Sequence, residues 1–171
     1  MYFFEKYCNN NIRYDLITKF NYKKLKTIPK LKKIILNFGC KTSDFKKISI
    51  ALLSLNLITK KQSKFVSAKK PNVLLKIRKG EPVGCKIILT KKFMFLFLSK
   101  LLFKNLQYFK FRIRLKQNTN SLTFNIKNIL IFKILEQNYI LFNNMDNLHL
   151  TIVTNSKNDY EFFYFLNLLK L

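Results

Sequence analysis

Tryptophan is absent, glycine and proline number three each, and histidine occurs once. With so few linker residues, no Pro/Gly/Ser-rich joint divides the chain, and at 171 residues a single domain is expected. The three cysteines, Cys8, Cys40 and Cys85, are odd in number and far apart, with no CxxC pair. That spacing argues against a disulfide framework and against a zinc site, and fits a reducing compartment. The lone His149 has no second ligand near it in sequence and alternates with apolar residues in Leu148-His149-Leu150-Thr151-Ile152-Val153. A strand histidine, solvent-facing or in the core, is therefore expected, with no metal and no cofactor.

Carboxylates are also scarce: Glu5, Asp15, Asp44, Glu81, Glu136, Asp146, Asp159 and Glu161 are all there are. None pairs with a His or Cys at catalytic spacing, and no serine sits in a G-x-S-x-G context. The GxxxxGK[ST] order of a nucleotide-binding loop is missing too. These absences exclude the usual apparatus of an enzyme. Long apolar runs are lacking as well. The most apolar stretch, Phe93 to Phe103, covers about 11 residues and contains Lys100, whereas a membrane span needs roughly 20. Glu5 and Lys6 interrupt any early secretory signal, and Glu5 and Asp15 beside a single Arg13 do not make an organelle presequence. A protein of this kind working in an organelle is expected to be organelle-encoded.

Positive charge is abundant. Thirty-three Lys plus Arg stand against eight Asp plus Glu, a formal net charge of +25. Such self-repulsion disfavours a compact state unless a polyanion supplies counter-charge, and nucleic acid is the commonest polyanion. The cations recur along the whole chain, from Lys23 to Lys33, Lys60 to Lys92 and Lys104 to Lys116. The folded body itself must be basic, unlike a chain with a basic tail. Phe, Tyr, Met, Ile, Asn and Lys together exceed half of the residues, and Lys replaces Arg almost throughout. These preferences follow AT-rich codons and point to a reduced genome, a mitochondrial one first.

Periodicity predicts an N-terminal helical segment within residues 1–27, centred on Asn9 to Leu25, then an α+β body over 28–171. Pro29 breaks any helix. Leu31 to Phe38 reads as a buried strand ending at Gly39. A helix capped by Ser43 or Asp44 runs through Ile48, Leu52, Leu53 and Leu55 to the Lys60-Lys61 pair. Strands are expected at Lys64 to Ser67, Cys85 to Thr90, around Leu122 to Lys127, and at Leu148 to Thr154. A helix from Lys91 to about Leu106 follows the third strand. Ser156-Lys157-Asn158-Asp159 looks like a capping box opening a last helix to Leu168. The fold class expected is α+β, an antiparallel sheet with helices packed on one face and the other face free to meet RNA.

Two features suit nucleic acid. Leu75-Lys76-Ile77-Arg78-Lys79-Gly80-Glu81-Pro82-Val83-Gly84-Cys85-Lys86 sets four cations among two glycines and a proline. Glycine permits close backbone approach, and Lys76, Arg78 and Lys79 can reach phosphates. A solvated hairpin loop is the plainer reading of the same residues. Tyr108-Phe109-Lys110-Phe111-Arg112-Ile113-Arg114-Leu115-Lys116 interleaves aromatic and basic residues, which suits stacking beside phosphate contacts, and equally describes an amphipathic strand with a cationic face.

These blocks resemble one family, the universal large-subunit ribosomal protein five associated with 5S ribosomal RNA. The resemblance runs over nearly the whole chain: Phe20-Asn21-Tyr22, then Ile28-Pro29-Lys30-Leu31-Lys32-Lys33-Ile34-Ile35-Leu36-Asn37-Phe38-Gly39, then Lys76 to Lys86, then Leu148 to Thr154 with Ser156 to Asp159. It implies a structural, non-enzymatic constituent of the large subunit, in the central protuberance of an organelle (mitochondrial) ribosome. The implied partners are large-subunit RNA, 5S RNA if present, neighbouring ribosomal proteins of the central protuberance and the transfer RNA in the peptidyl site. The candidate ribosomal RNA contacts are Lys30, Lys33, Asn37, Lys61, Ser67, Lys69, Lys70, Arg112, Arg114 and Lys116. The loop matched to the transfer RNA elbow offers Lys76, Arg78, Lys79, Gly80, Pro82 and Gly84. Three departures stand out. Val73-Leu74-Leu75 replaces a small residue and Gly at the start of the loop, Phe109 to Asn120 replaces a glycine-rich stretch, and Ile88 stands where Thr is common. A free-standing organellar RNA-binding factor, and a basic protein lying on an anionic membrane through Phe93 to Phe103, are the alternatives.

Overall fold

Apolar alternation generates the sheet. In β1 (Leu31–Gly39) the side chains of Ile34, Leu36 and Phe38 are fully buried, while Lys33, Ile35 and Asn37 between them stay half-exposed. The computed structural model describes residues 3–40, 43–105, 114–115 and 120–169. Among them the chain runs α1 (Phe3–Tyr7), a π turn (Cys8–Ile12), α2 (Arg13–Lys19), a 3-10 turn (Leu25–Thr27), β1 and α3 (Phe45–Thr59). Then come β2 (Lys64–Ser67), β3 (Pro82–Leu89), α4 (Lys91–Asn105), β4 (Arg114–Leu115) and β5 (Ser121–Ile126). A 3-10 turn (Ile129–Ile131), α5 (Lys133–Glu136), α6 (Tyr139–Phe142), β6 (Leu148–Thr154) and α7 (Asp159–Leu168) complete it.

The six strands form one antiparallel sheet in the order β2-β3-β1-β6-β5-β4. The inward residues of β3 (Cys85, Ile87, Leu89), β6 (Leu148, Leu150, Ile152) and β5 (Leu122, Phe124, Ile126) join those of β1 in one core. Ile48, Ala51 and Leu55 of α3, Phe97, Leu98 and Leu101 of α4, and Phe162 and Phe165 of α7 enter the same core. Ile12 and Leu16 of the N-terminal segment do so too, and Phe20 meets Tyr164 of α7 edge to face at 5.7 Å. The described helices thus lie on a single face, as the alternation predicts, and the N-terminal segment packs into the body through Phe4, Ile12 and Leu16.

Several local expectations need correction. The N-terminal helix begins at Phe3, before the expected Asn9, and ends at Lys19, where Phe20 turns extended. β3 starts three residues earlier than Cys85, at Pro82, which is tolerated because a proline opening a strand leaves no interior ladder bond unmade. Asp44 occupies the cap position of α3 but its side chain makes no capping bond. The Ser156 capping box does not form either. Asn158 is the cap residue of α7, and the buried Ser156 hydroxyl pairs with Thr154 Oγ1 at 2.9 Å.

Gly84 has a purpose inside the sheet. It faces Gly39 across β1 and β3, and a Cβ built on it would lie 2.2 Å from the Phe38 carbonyl oxygen. Only glycine lets the two strands approach this closely. At Gly39 a Cβ meets nothing within 4 Å. Gly84→Ala should therefore cost about 1–3 kcal/mol or more through overpacking, while Gly39→Ala stays near wild type. Urea midpoints of the two variants check this, and equal midpoints would refute the close-approach role.

Candidate nucleic-acid interface

The outward half of each strand builds the site. The registers align Lys64 with Lys86, Lys86 with Asn37, Asn37 with His149, and His149 with Asn125, a polar row across five strands. His149 Nδ1 and Asn125 Oδ1 are 2.6 Å apart, so with the amide oxygen in that position the ring nitrogen is the donor. In the next row Thr151 and Thr123 meet hydroxyl to hydroxyl at 3.3 Å beside Ile35 and Ile88. None of the eight carboxylates falls within a strand. The face therefore carries lysines, hydroxyls and amides without a counter-charge of its own. Lys64 and Lys86 are both exposed and directly opposed, an arrangement that repels in the free protein and that an anion would relieve.

Beyond β2 and β3 the chain continues as a loop over residues 68–81, tied at two levels. Near the sheet, Ala68 N–H donates to the Glu81 carbonyl at 2.8 Å and Gly80 N–H to the Ala68 carbonyl at 3.0 Å. Further out, Asn72 and Ile77 exchange two backbone bonds of 2.9 and 3.0 Å. Gly80 takes a φ of +92°, which glycine adopts without strain, and Lys76 takes +53°. The one carboxylate of the loop, Glu81, accepts from the backbone N–H of Arg78 at 2.9 Å. It thereby stiffens the loop. Lys69, Lys70, Lys76, Arg78 and Lys79 are all exposed along it.

The structure sorts the residues named from sequence. Asn37 lies mid-sheet between Lys86 and His149, and Lys33 shares its face on the same strand. Lys30 precedes β1 at the sheet end away from the loop, and its backbone N–H is held by Asn155 Oδ1 at 2.6 Å. Lys61 is half-buried and donates its ammonium to the Ile88 carbonyl at 2.9 Å, fastening the end of α3 to β3. Ser67 sits exposed at the bulge that ends β2. Pro82 and Gly84 belong to β3 and not to the loop, because pairing with β2 extends that far. Val73-Leu74-Leu75 forms the loop's tip and not its start: Val73 and Leu74 are 89% and 94% exposed. Arg114 lies in β4, while Arg112 and Lys116 fall outside the described residues. Lys64, Asn125, Thr123 and Thr151 were not singled out from sequence, and Lys86 only as a cation of the Leu75 to Lys86 block, since only the strand register aligns them.

Among the described residues no group of three His, Cys, Asp or Glu could hold a metal. Burial, with Cys40 a lesser cause, pushes the Cys85 thiol up to about 11, and burial beside Glu5 pushes Cys8 up to about 12. Both stay protonated and poorly nucleophilic at neutral pH. No described helix is long and apolar enough to cross a membrane.

Because Lys86 faces Lys64, replacing it by glutamine should stabilise the free protein, by about 0.2–1 kcal/mol at low salt. A lowered urea midpoint for Lys86→Gln would contradict the repulsion.

No family model matches the chain. Comparison with characterised proteins does find relatives. The chain is 36% identical over 164 residues to the large ribosomal subunit protein uL5m of Reclinomonas americana, covering 90% of this chain and 87% of the relative. It is 34% identical to protein uL5 of Wigglesworthia glossinidia brevipalpis over 88% of this chain and 87% of that one. With protein uL5 of Malacoplasma penetrans it shares 32% over 95% and 89%. Likeness at this level, over nearly the full length of each partner, establishes kinship, and the family is structural and not enzymatic. The chain belongs to the uL5 family of large ribosomal subunit proteins.

Proposed function

We propose that this protein is a structural constituent of the large ribosomal subunit, seated with its open sheet face on ribosomal RNA in the central protuberance. One observation carries the reading: a carboxylate-free sheet face on which Lys64 opposes Lys86, in a chain of net charge +25. Phosphates are the counter-charge such a face requires. Asn37, His149 and Asn125 supply hydrogen-bonding groups between the lysines, suited to sugar and base edges. Lys33, Lys69 and Lys70 extend the cationic surface to either side. Arg112, Arg114 and Lys116 are proposed to add to it. Where the ribosome has a 5S RNA, that RNA is the proposed occupant of the face, alongside neighbouring proteins.

The loop over 68–81 is the proposed contact to the transfer RNA in the peptidyl site. Lys76, Arg78 and Lys79 offer the charges, and the two backbone ties keep the loop in shape when its side chains are engaged. A mitochondrial ribosome is the proposed setting, with the gene in the organelle. The AT-biased composition and 36% identity to a uL5m protein support it.

Binding to isolated ribosomal RNA should be steeply salt-dependent. About 6–10 neutralised phosphates correspond to a loss of roughly three to five powers of ten between about 50 and 200 mM salt. A flat response would overturn the RNA reading. The protein should also stay with large subunits through a salt wash, whereas a free-standing factor would be released. Replacing Arg78 and Lys79 by alanine should weaken transfer RNA engagement more than subunit assembly. Assembly failing first would remove the loop from that role.

A further inference from the structure

At the sheet's outer edge two aromatic rings lie open to solvent. Phe65 of β2 pairs in register with Cys85, so its ring leaves on the helix side. β2 is the edge strand, and there the core gives out. Phe65 is 50% exposed, and Phe45, the first residue of α3, is 65% exposed. Their rings stack with centroids 6.3 Å apart and planes inclined by 29°. The two rings cover each other in part and leave the rest of their faces to water. Around them in the chain stand Lys46, Lys47 and Lys64, all exposed, against the single carboxylate of Asp44.

We infer that Phe45 and Phe65 form a stacking site for an unpaired base of RNA. A flat apolar ring bordered by cations matches both halves of a nucleotide, the base on the ring and its phosphates on the ammonium groups. A protein partner burying the same rings would also have to strip water from the exposed lysines that follow Phe45, Lys46 and Lys47, which costs free energy unless each is paired. RNA brings that pairing with it. Continuity favours it too: Lys64 precedes Phe65 and belongs to the open face, so a strand leaving that face over β2 meets the rings next. The inference rests on the RNA-binding reading above, and adds to it a place where a base is held by stacking.

The test uses the full chain with two RNAs of equal length, a single-stranded oligonucleotide carrying 2-aminopurine and a duplex. Wild type should quench the 2-aminopurine fluorescence on binding. Phe65→Leu should weaken single-strand binding by about 5- to 150-fold, the range for losing one base–aromatic stack. Its duplex affinity and the slope of log affinity against log salt should not change. Phe65→Tyr should restore both quenching and affinity, which separates stacking from any packing defect. Salt-dependent RNA binding without quenching, or Phe65→Leu binding single strands like wild type, overturns the stacking site alone. Equal loss on both RNAs overturns it too. So does a Phe65→Leu protein that still quenches yet fails to retain a neighbouring protein in reassembled subunits. Failure of the wild type to bind either RNA in a salt-dependent way overturns the RNA reading beneath it.

Discussion

Lysine facing lysine across β2 and β3 is the constraint around which this molecule is organised. Lys64 and Lys86 are register partners on an exposed surface, and the chain around them carries a net charge of +25. Repulsion of that kind disfavours the compact state of the free protein, and a polyanion would relieve it. Among the described residues the helices take the opposite side of the sheet, and the outward residues of the central strands stay partly exposed. The few carboxylates are kept out of the strands. Glu81, the one nearest the cationic loop, has an oxygen on a backbone amide.

Each strand therefore divides its residues between two tasks. Ile34, Leu36 and Phe38 hold β1 in the core, and Lys33 and Asn37 use the same backbone to face outward. The alternation that makes a core on one side makes a polar surface on the other, without an added element. Gly84 supports both by letting β3 lie close against β1. Where the strands end, the loop over 68–81 keeps its shape through backbone bonds at Ala68–Glu81, Gly80–Ala68 and Asn72–Ile77. Its exposed lysines and arginine are not needed for that shape.

Much of this was readable beforehand. β1, β2 and β6 stand where alternation, Gly39 and the polar punctuation put them, and the helix-free face follows from that pattern. What escaped were features set by tertiary contacts. The short helices α5 and α6 lack a periodic run long enough to signal a helix, and form around buried Leu135 and Phe142. Lys60, Lys76 and Lys91 adopt positive φ, where a less lysine-biased sequence would announce the turn with glycine or asparagine. Ser156 and Asp159 matched a capping pattern, but burial turned the Ser156 hydroxyl to Thr154. The polar row was invisible for a simpler reason. Lys64, Lys86, Asn37, His149 and Asn125 are scattered along the chain, and strand register alone aligns them.

The central claim is that phosphates cover the open face of the sheet. Lysine acylation, read by mass spectrometry on the protein alone and on its complex with ribosomal RNA, tests that most directly. The account predicts that Lys64, Lys86 and Lys79 become strongly protected in the complex while Lys133, exposed on α5, reacts at its free rate. Protection of Lys133 with Lys64 and Lys86 still reactive would contradict it.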